Sequence, residues 1–182
     1  MKSYSKMGFY PESLAMPADE VLELHAARLL LLIKLCGVNG EKIRGLTKLA
    51  KLDFFVRYPD FFSEVARYLG KGVAVENTQV ESSMVRHHYG PWDKRYYHVL
   101  AYLEAKGLVN VVKNKKAYEF VLSNIGKEKS AMLEESESFR ELAEHMKLVK
   151  STLGNKNGSA LKDLVYKVFE KEVADRKLGE VI

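Results

Sequence analysis

Between Asp93 and Gly107 the apolar and aromatic positions Tyr96, Tyr97, Leu100 and Leu103 fall three or four residues apart, the spacing of one buried helical face. Pro91 and Asp93 supply start signals, and the carboxylate of Asp93 suits the positive end of the helix dipole. Gly107 stands where a left-handed residue ends a helix. The period then changes to two: Val109 and Val111 alternate with Asn110 and Val112, and Tyr118, Phe120 and Leu122 repeat at every second position. Asn114, Lys115 and Lys116 lie between the runs as turn residues, so the pattern predicts a hairpin. A helix ending at glycine and running straight into a two-stranded ribbon is the second half of a winged helix-turn-helix unit.

The rest of the chain reads as helices. Residues 1–16 show little periodicity and are expected to form an extended arm. Pro17 suits a first helical position with Asp19 and Glu20 in the opening turn, and Leu24, Ala27, Leu31 and Leu35 carry that helix to Gly37. Being apolar on most sides near its end, it is expected to be central and buried. A turn at Val38-Asn39-Gly40 leads to a second helix from Leu46 or Thr47 to about Tyr58, where Pro59 disfavours helix in the residue before it. A third helix spans Asp60 to Leu69, capped by Asp60 and ended by Gly70. A loop follows through Gln79, then a short strand around Met84, Val85 and Arg86 that would pair with the wing. Ser123 caps a further helix, and Phe139, Leu142, Met146 and Val149 continue helical spacing over Met132 to Leu153. After a break at Gly154 to Gly158, Ser159 caps a last helix with Leu161, Leu164, Val165, Val168 and Phe169 on one face. The predicted fold is mainly α with a small β-hairpin: an arm (1–16), a helical region with the winged helix-turn-helix (17–126), and a C-terminal helical extension (127–182).

Composition narrows the function classes. The chain of 182 residues is 47% hydrophobic, enough for a respectable core. No apolar run approaches the roughly 20 residues of a membrane span, and the opening residues Met1 to Lys6 carry no export signal, so a cytoplasmic protein is expected. A single cysteine, Cys36, forms no internal disulfide and no cysteine-based zinc site, and it reads as a small core residue. The net charge of +5 permits nucleic-acid contact without demanding it. Its distribution is more telling. Arg86, Lys94, Arg95, His98, Lys113, Lys115 and Lys116 lie in or beside the winged unit and are the candidate DNA contacts. Glu128, Glu134, Glu135, Glu137, Glu141 and Glu144 follow it, which suggests two differently committed surfaces.

Each feature has a plainer reading. His87, His88 and His98 are better taken as ordinary strand and helix histidines than as a metal site. Tyr89, Trp92, Tyr96 and Tyr97 could stack on bases, but packing beneath the helix accounts for most of them. Asp53 and Arg57, one helical turn apart, can simply pair. No phosphate-cradling glycine loop, HExxH or paired-cysteine motif is present, so no catalytic residue, metal or cofactor is expected.

Three stretches carry a resemblance. Tyr97 to Val109 with Tyr118 to Ser123 is similar to the helix and wing of bacterial winged-helix regulators. Gly45 to Leu52 with Tyr89-Gly90-Pro91 resembles the SocA-like (Panacea) antitoxins. Lys51 to Pro59, Tyr89 to Asp93 and Leu178 to Ile182 together resemble the middle components of three-component ABC-ATPase systems, which accompany an SMC-like ATPase and an effector as in Lamassu-type phage defence. The resemblance implies a non-enzymatic adaptor that bridges ATPase and effector and contacts duplex DNA without sequence preference. The alternative is a free-standing winged-helix regulator or antitoxin. The exposed helix face offers only Lys94, Arg95, His98 and Tyr102, so phosphate or protein contact is expected rather than base readout. The apolar end Val181-Ile182, with Leu164, Val168 and Phe169, is the candidate partner surface.

Overall fold

The computed structural model describes residues 21–72, 84–88, 90–114, 117–170, 173, 175 and 177–182; the expected arm and the start signals Pro17, Asp19 and Glu20 lie outside them. The first described helix, α1 (Leu22–Cys36), starts later than the expected helix from Pro17, because Val21 before it is extended (φ −86°, ψ 104°), and it ends where the Gly37 N–H donates to the Ile33 carbonyl at 3.0 Å. Leu29, Leu31, Leu32 and Ile33 have no exposed surface, so this is the central helix that the pattern predicts. Strand β1 (Lys42–Arg44), helix α2 (Leu46–Arg57) and helix α3 (Pro59–Tyr68) follow. Pro59 sits in the first turn of α3, where its missing N–H has no partner to lose; Asp60 lies inside that turn rather than capping it.

Next come a small hairpin, β2 (Val85–His87) and β3 (Gly90–Trp92), and helix α4 (Tyr96–Ala105). Gly107, at φ 68°, ends α4 in the left-handed region as expected. Strands β4 (Val109–Asn114) and β5 (Ala117–Leu122) then form the expected ribbon. They join β1 in an antiparallel sheet of order β1-β5-β4, with Ile43 opposite Phe120 and Val111 opposite Phe120 on its other side. Ile43, Val109, Phe120 and Leu122 line the core face, while Val112 and Tyr118 are exposed beyond it. On the opposite face Glu119 accepts from Lys42 and from Asn114 and pairs with the Arg44 guanidinium, each at 3.1 Å, which ties the three strands together.

Two expectations about this region need correction. The strand at Val85 pairs with β3, not with the wing, because Gly90 at φ 90° turns the chain back at once. Pro91 therefore belongs to a strand and not to the start of α4. On its other side β2 takes up the last residues. The Gly179 N–H donates to the Arg86 carbonyl (2.7 Å), the Arg86 N–H to the Glu180 carbonyl (2.7 Å) and the Ile182 N–H to the Met84 carbonyl (2.9 Å).

The remaining helices are α5 (Asn124–Glu135), α6 (Arg140–Leu153) and α7 (Gly158–Val168), with a tight turn at Glu137–Phe139 breaking the continuous run expected from Met132 to Leu153. Ser123 caps α5 as predicted, accepting from the Gly126 N–H at 2.9 Å. Asn157, not Ser159, caps α7: its side-chain oxygen accepts from the Ala160 N–H at 2.8 Å. Lysines close two helix ends, where the dipole is negative. Lys150 Nζ donates to the carbonyls of Cys36 (3.0 Å) and Gly37 (2.6 Å), and Lys48 Nζ to that of Gly154 (2.7 Å). Helices α5 and α6 pack on α1, and α7 packs on α2, within one continuous core from Ala26 to Val173. The helices after residue 126 thus complete that core rather than extend from it. Among the described residues no helix is long and apolar enough to cross a membrane.

Because Phe169 is fully enclosed and Val181 is 54% exposed, truncating them should separate core from surface. Phe169→Ala is expected to lower stability by about 3–5 kcal/mol, and Val181→Ala by less than about 0.5 kcal/mol. Equilibrium denaturation followed by circular dichroism measures both. A Phe169→Ala loss as small as that of Val181→Ala would mean that α7 is a separable appendage.

Candidate functional site

The surface-facing elements α4 and the wing are held from below by buried charges. Asp53, in the middle of α2, has no exposed surface. Its Oδ1 accepts from Arg28 Nε of α1 at 2.9 Å, and its Oδ2 from the Tyr96 hydroxyl of α4 at 2.8 Å. Arg57, one turn further along α2, lies 3.8 Å from Asp53 and donates to Asp93 Oδ2 at 2.7 Å. Asp93 stands between β3 and α4. It also accepts from the backbone N–H and Nε of Arg95, both at 2.9 Å, and from its second terminal nitrogen at 2.8 Å. His25 of α1 closes the set, its two ring nitrogens lying 3.0 Å from Arg28 and 2.9 Å from Arg95.

Burial shapes the titration of these groups. Burial alone would raise the Asp93 carboxyl, but the two Arg95 hydrogen bonds and the charges of Arg57 and Arg95 outweigh it and hold the group well below the usual carboxylate range. The Tyr96 phenol is pushed well up by burial and by the neighbouring Asp53 charge. Burial likewise pushes the Cys36 thiol up to about 12, which makes it a poor nucleophile at neutral pH and a core residue as expected.

Lys51, also on α2, is the most unusual cation of the set. Its ammonium is fully enclosed and donates to the Pro91 carbonyl at 2.7 Å, and among the described residues no carboxylate pairs with it. Burial, reinforced by the charge of Arg86, lowers its pKa to about 7. Its bond to Pro91 ties the β2–β3 hairpin to α2.

The sequence-derived candidates separate into structural and exposed groups. Arg86 donates from Nε to the Val173 carbonyl at 2.8 Å and from a terminal nitrogen to the His87 carbonyl, with its guanidinium 5.2 Å from the centre of the Tyr166 ring. Arg95 is engaged with Asp93 and His25. Both were expected at a DNA surface; each is half-buried and has partners within the molecule for its guanidinium. Lys94, His98 and Lys113 are exposed, while Lys115 and Lys116 lie outside the described residues. Of the partner candidates, Leu164 and Phe169 are buried within this chain, and Val168 and Ile182 are partly buried against its core. That leaves Val181 exposed. His87 stacks on Trp92, with ring centres 5.0 Å apart, and no group of three His, Cys, Asp or Glu among the described residues is placed to hold a metal ion.

Sequence reasoning found the Asp53–Arg57 pair but missed Arg28, Lys51 and His25. The available signal was a charge set inside an otherwise apolar helical run, as with Arg28 among the leucines of α1. No protein-family model, curated protein or solved structure matches this chain.

The Lys51 environment predicts a pH dependence of stability. Its folded pKa of about 7 lies below the ordinary 10.5, so between those values the unfolded chain binds more protons and stability rises with pH. Below about pH 7 the penalty for the enclosed ammonium is fully present. Lys51→Met should therefore gain stability relative to the native chain as pH falls toward about 7, with a constant difference below. Denaturant midpoints across this range test it, and a difference independent of pH would contradict it.

Proposed function

We propose that this chain is a non-enzymatic winged-helix adaptor, the accessory subunit of an SMC-like ABC-ATPase defence complex, presenting α4 and the β4–β5 wing to its partners and to duplex phosphates. The observation that carries the winged-helix reading is the strand order β1-β5-β4, with α1 before β1 and α4 feeding directly into β4. That order sets a helix beside a projecting ribbon on one side of the molecule. The start of that helix is tied to α2 by the Tyr96–Asp53 and Arg57–Asp93 bonds of the buried ion network.

The composition of that surface favours contact over base reading. Among the described residues Lys94, Lys106 and Lys113 are exposed cations on this surface, His98 is exposed on α4, and the wing also exposes Val112 and Tyr118. Specific readout of a major groove needs several donors and acceptors on the helix. A few cations beside exposed apolar and aromatic groups suit a protein partner with non-specific phosphate contact. The acidic side chains on α5 and α6 offer a second face. Glu134 there is held by Lys34 and Lys147, while Glu128, Glu135, Glu137, Glu141 and Glu144 are exposed.

On this reading the isolated chain binds duplex DNA weakly and without sequence preference, losing affinity with salt as expected for about three to five neutralised phosphates. Replacing Lys113, Lys115 and Lys116 together with Glu should abolish that binding without moving the thermal midpoint. The tagged chain, expressed with the genes that flank its own, should carry an SMC-like ATPase through purification. Nanomolar affinity for one operator at physiological salt, with no ATPase retained, would overturn the proposal in favour of a free-standing regulator or antitoxin.

A further inference from the structure

The C-terminal ends of α1 and α6 converge on a cleft of about 780 Å³, lined also by Lys48 of α2 and by the turn at Val38, Asn39 and Gly40. That volume falls within the ~300–1,000 Å³ typical of small-ligand sites. Each of the two helices ends at a glycine that has no room for a side chain. A Cβ on Gly37 would collide with the Ile33 carbonyl, and one on Gly154 with the stem of Lys150. This close approach brings two ammonium groups to the cleft, Lys150 on the carbonyls of Cys36 and Gly37 and Lys48 on that of Gly154.

Lys34, Lys48 and Lys150 line the cleft, and none of its described lining residues is a carboxylate. Lys34 is matched by Glu134 at 3.5 Å. Lys48 and Lys150 are half-buried and meet only backbone carbonyls. A helix C-terminus carries roughly half a negative charge, so the two ends offset about one of these two ammonium charges and leave about one unmatched. Donors are left over as well. An ammonium has three N–H groups, of which Lys150 spends two and Lys48 one. Burial, and then the charge of Lys150, lower the Lys48 pKa below its ordinary value. The exposed amides of Asn39 and Asn155 stand at the rim.

An anion answers both the unmatched charge and the spare donors. Ammonium groups act as point charges without the planar fork that fits a carboxylate, and a tetrahedral phosphate accepts from both of them at once. No described lining residue is aromatic, so a base would find no stacking partner and recognition falls on the phosphate itself. We propose that this cleft binds the phosphate group of a small molecule, held by Lys48 and Lys150 with the Asn39 and Asn155 amides at its edge. The cleft shares no described lining residue with α4 or the β4–β5 ribbon, so the proposal stands apart from any contact the wing makes. A ligand there bridges α1, α2 and α6 and stabilises the fold by mass action.

The full chain is titrated with inorganic phosphate, pyrophosphate and AMP by isothermal calorimetry, and its thermal midpoint is followed with each anion and with sodium chloride at matched ionic strength. The phosphates should bind saturably and raise the midpoint, and sodium chloride should not. AMP binding no tighter than phosphate identifies the free anion as the ligand, and tighter AMP binding identifies a nucleotide carrier. Lys48→Gln and Lys150→Gln should each weaken binding about tenfold or more. The combined Lys113→Glu, Lys115→Glu and Lys116→Glu variant should bind these anions as the native chain does, so failure at the wing is distinguishable from failure at the cleft. Should Lys150→Gln not fold, because Lys150 closes the end of α1, Lys48→Gln decides alone. Three results each overturn the proposal: no saturable binding of any of the anions, an equal midpoint rise in sodium chloride, which is charge screening, or a Lys48→Gln affinity within twofold of native.

Discussion

A carboxylate with no exposed surface in the middle of α2 places a strict condition on the rest of the molecule. Removing a carboxylate from water costs several kcal/mol unless charge and hydrogen bonds replace the lost hydration. Asp53 meets the condition with Arg28 from α1 and Tyr96 from α4, and Arg57 passes the linkage to Asp93 at the start of α4. None of these groups can move alone without stranding a buried partner. The network thus fixes how α1, α2 and α4 sit relative to one another, and α4 runs directly into the β4–β5 ribbon.

That dependence explains which parts of the fold were legible in the sequence. The helices α1, α2, α3 and α4 followed from apolar spacing and from Gly107 and Pro59, because these are local physical demands. Strand β1 was missed: in Lys42-Ile43-Arg44 only Ile43 is apolar, and one buried residue displays no alternation. Pro91 misled for a related reason: its local chemistry reads as a helix start, whereas it lies in β3 and its carbonyl accepts from Lys51. Asp93 does open α4, accepting from the Arg95 N–H, but its bond to Arg57 is one that no local pattern encodes. The same limit applies to the candidate DNA contacts. Charge alone could not tell the half-buried Arg86 and Arg95, whose guanidinium groups have partners within the chain, from the exposed Lys94 and Lys113.

The last helix shows how similar patterns can carry opposite meanings. An amphipathic face at Leu161, Leu164, Val165 and Phe169 fits either a partner surface or a flank of the core. The decision rests on what lies opposite, and here that is the apolar side of α2. Around the ribbon and the hairpin, Tyr97, Val112, Tyr118, Leu178 and Val181 are exposed, and Tyr68, Ile125 and Met132 are exposed elsewhere. The ionic core thus positions α4, which runs directly into the ribbon.

A double-mutant cycle on Arg28 and Asp53 tests that claim most directly. Denaturant unfolding is measured for Arg28→Met, Asp53→Leu and the pair. Each single change leaves a buried partner uncompensated and is expected to cost about 3–5 kcal/mol, as is usual for broken buried pairs. The double change removes both charges and should cost clearly less than the sum of the two. Single losses below about 1 kcal/mol that simply add would show that the network does not hold the helices together.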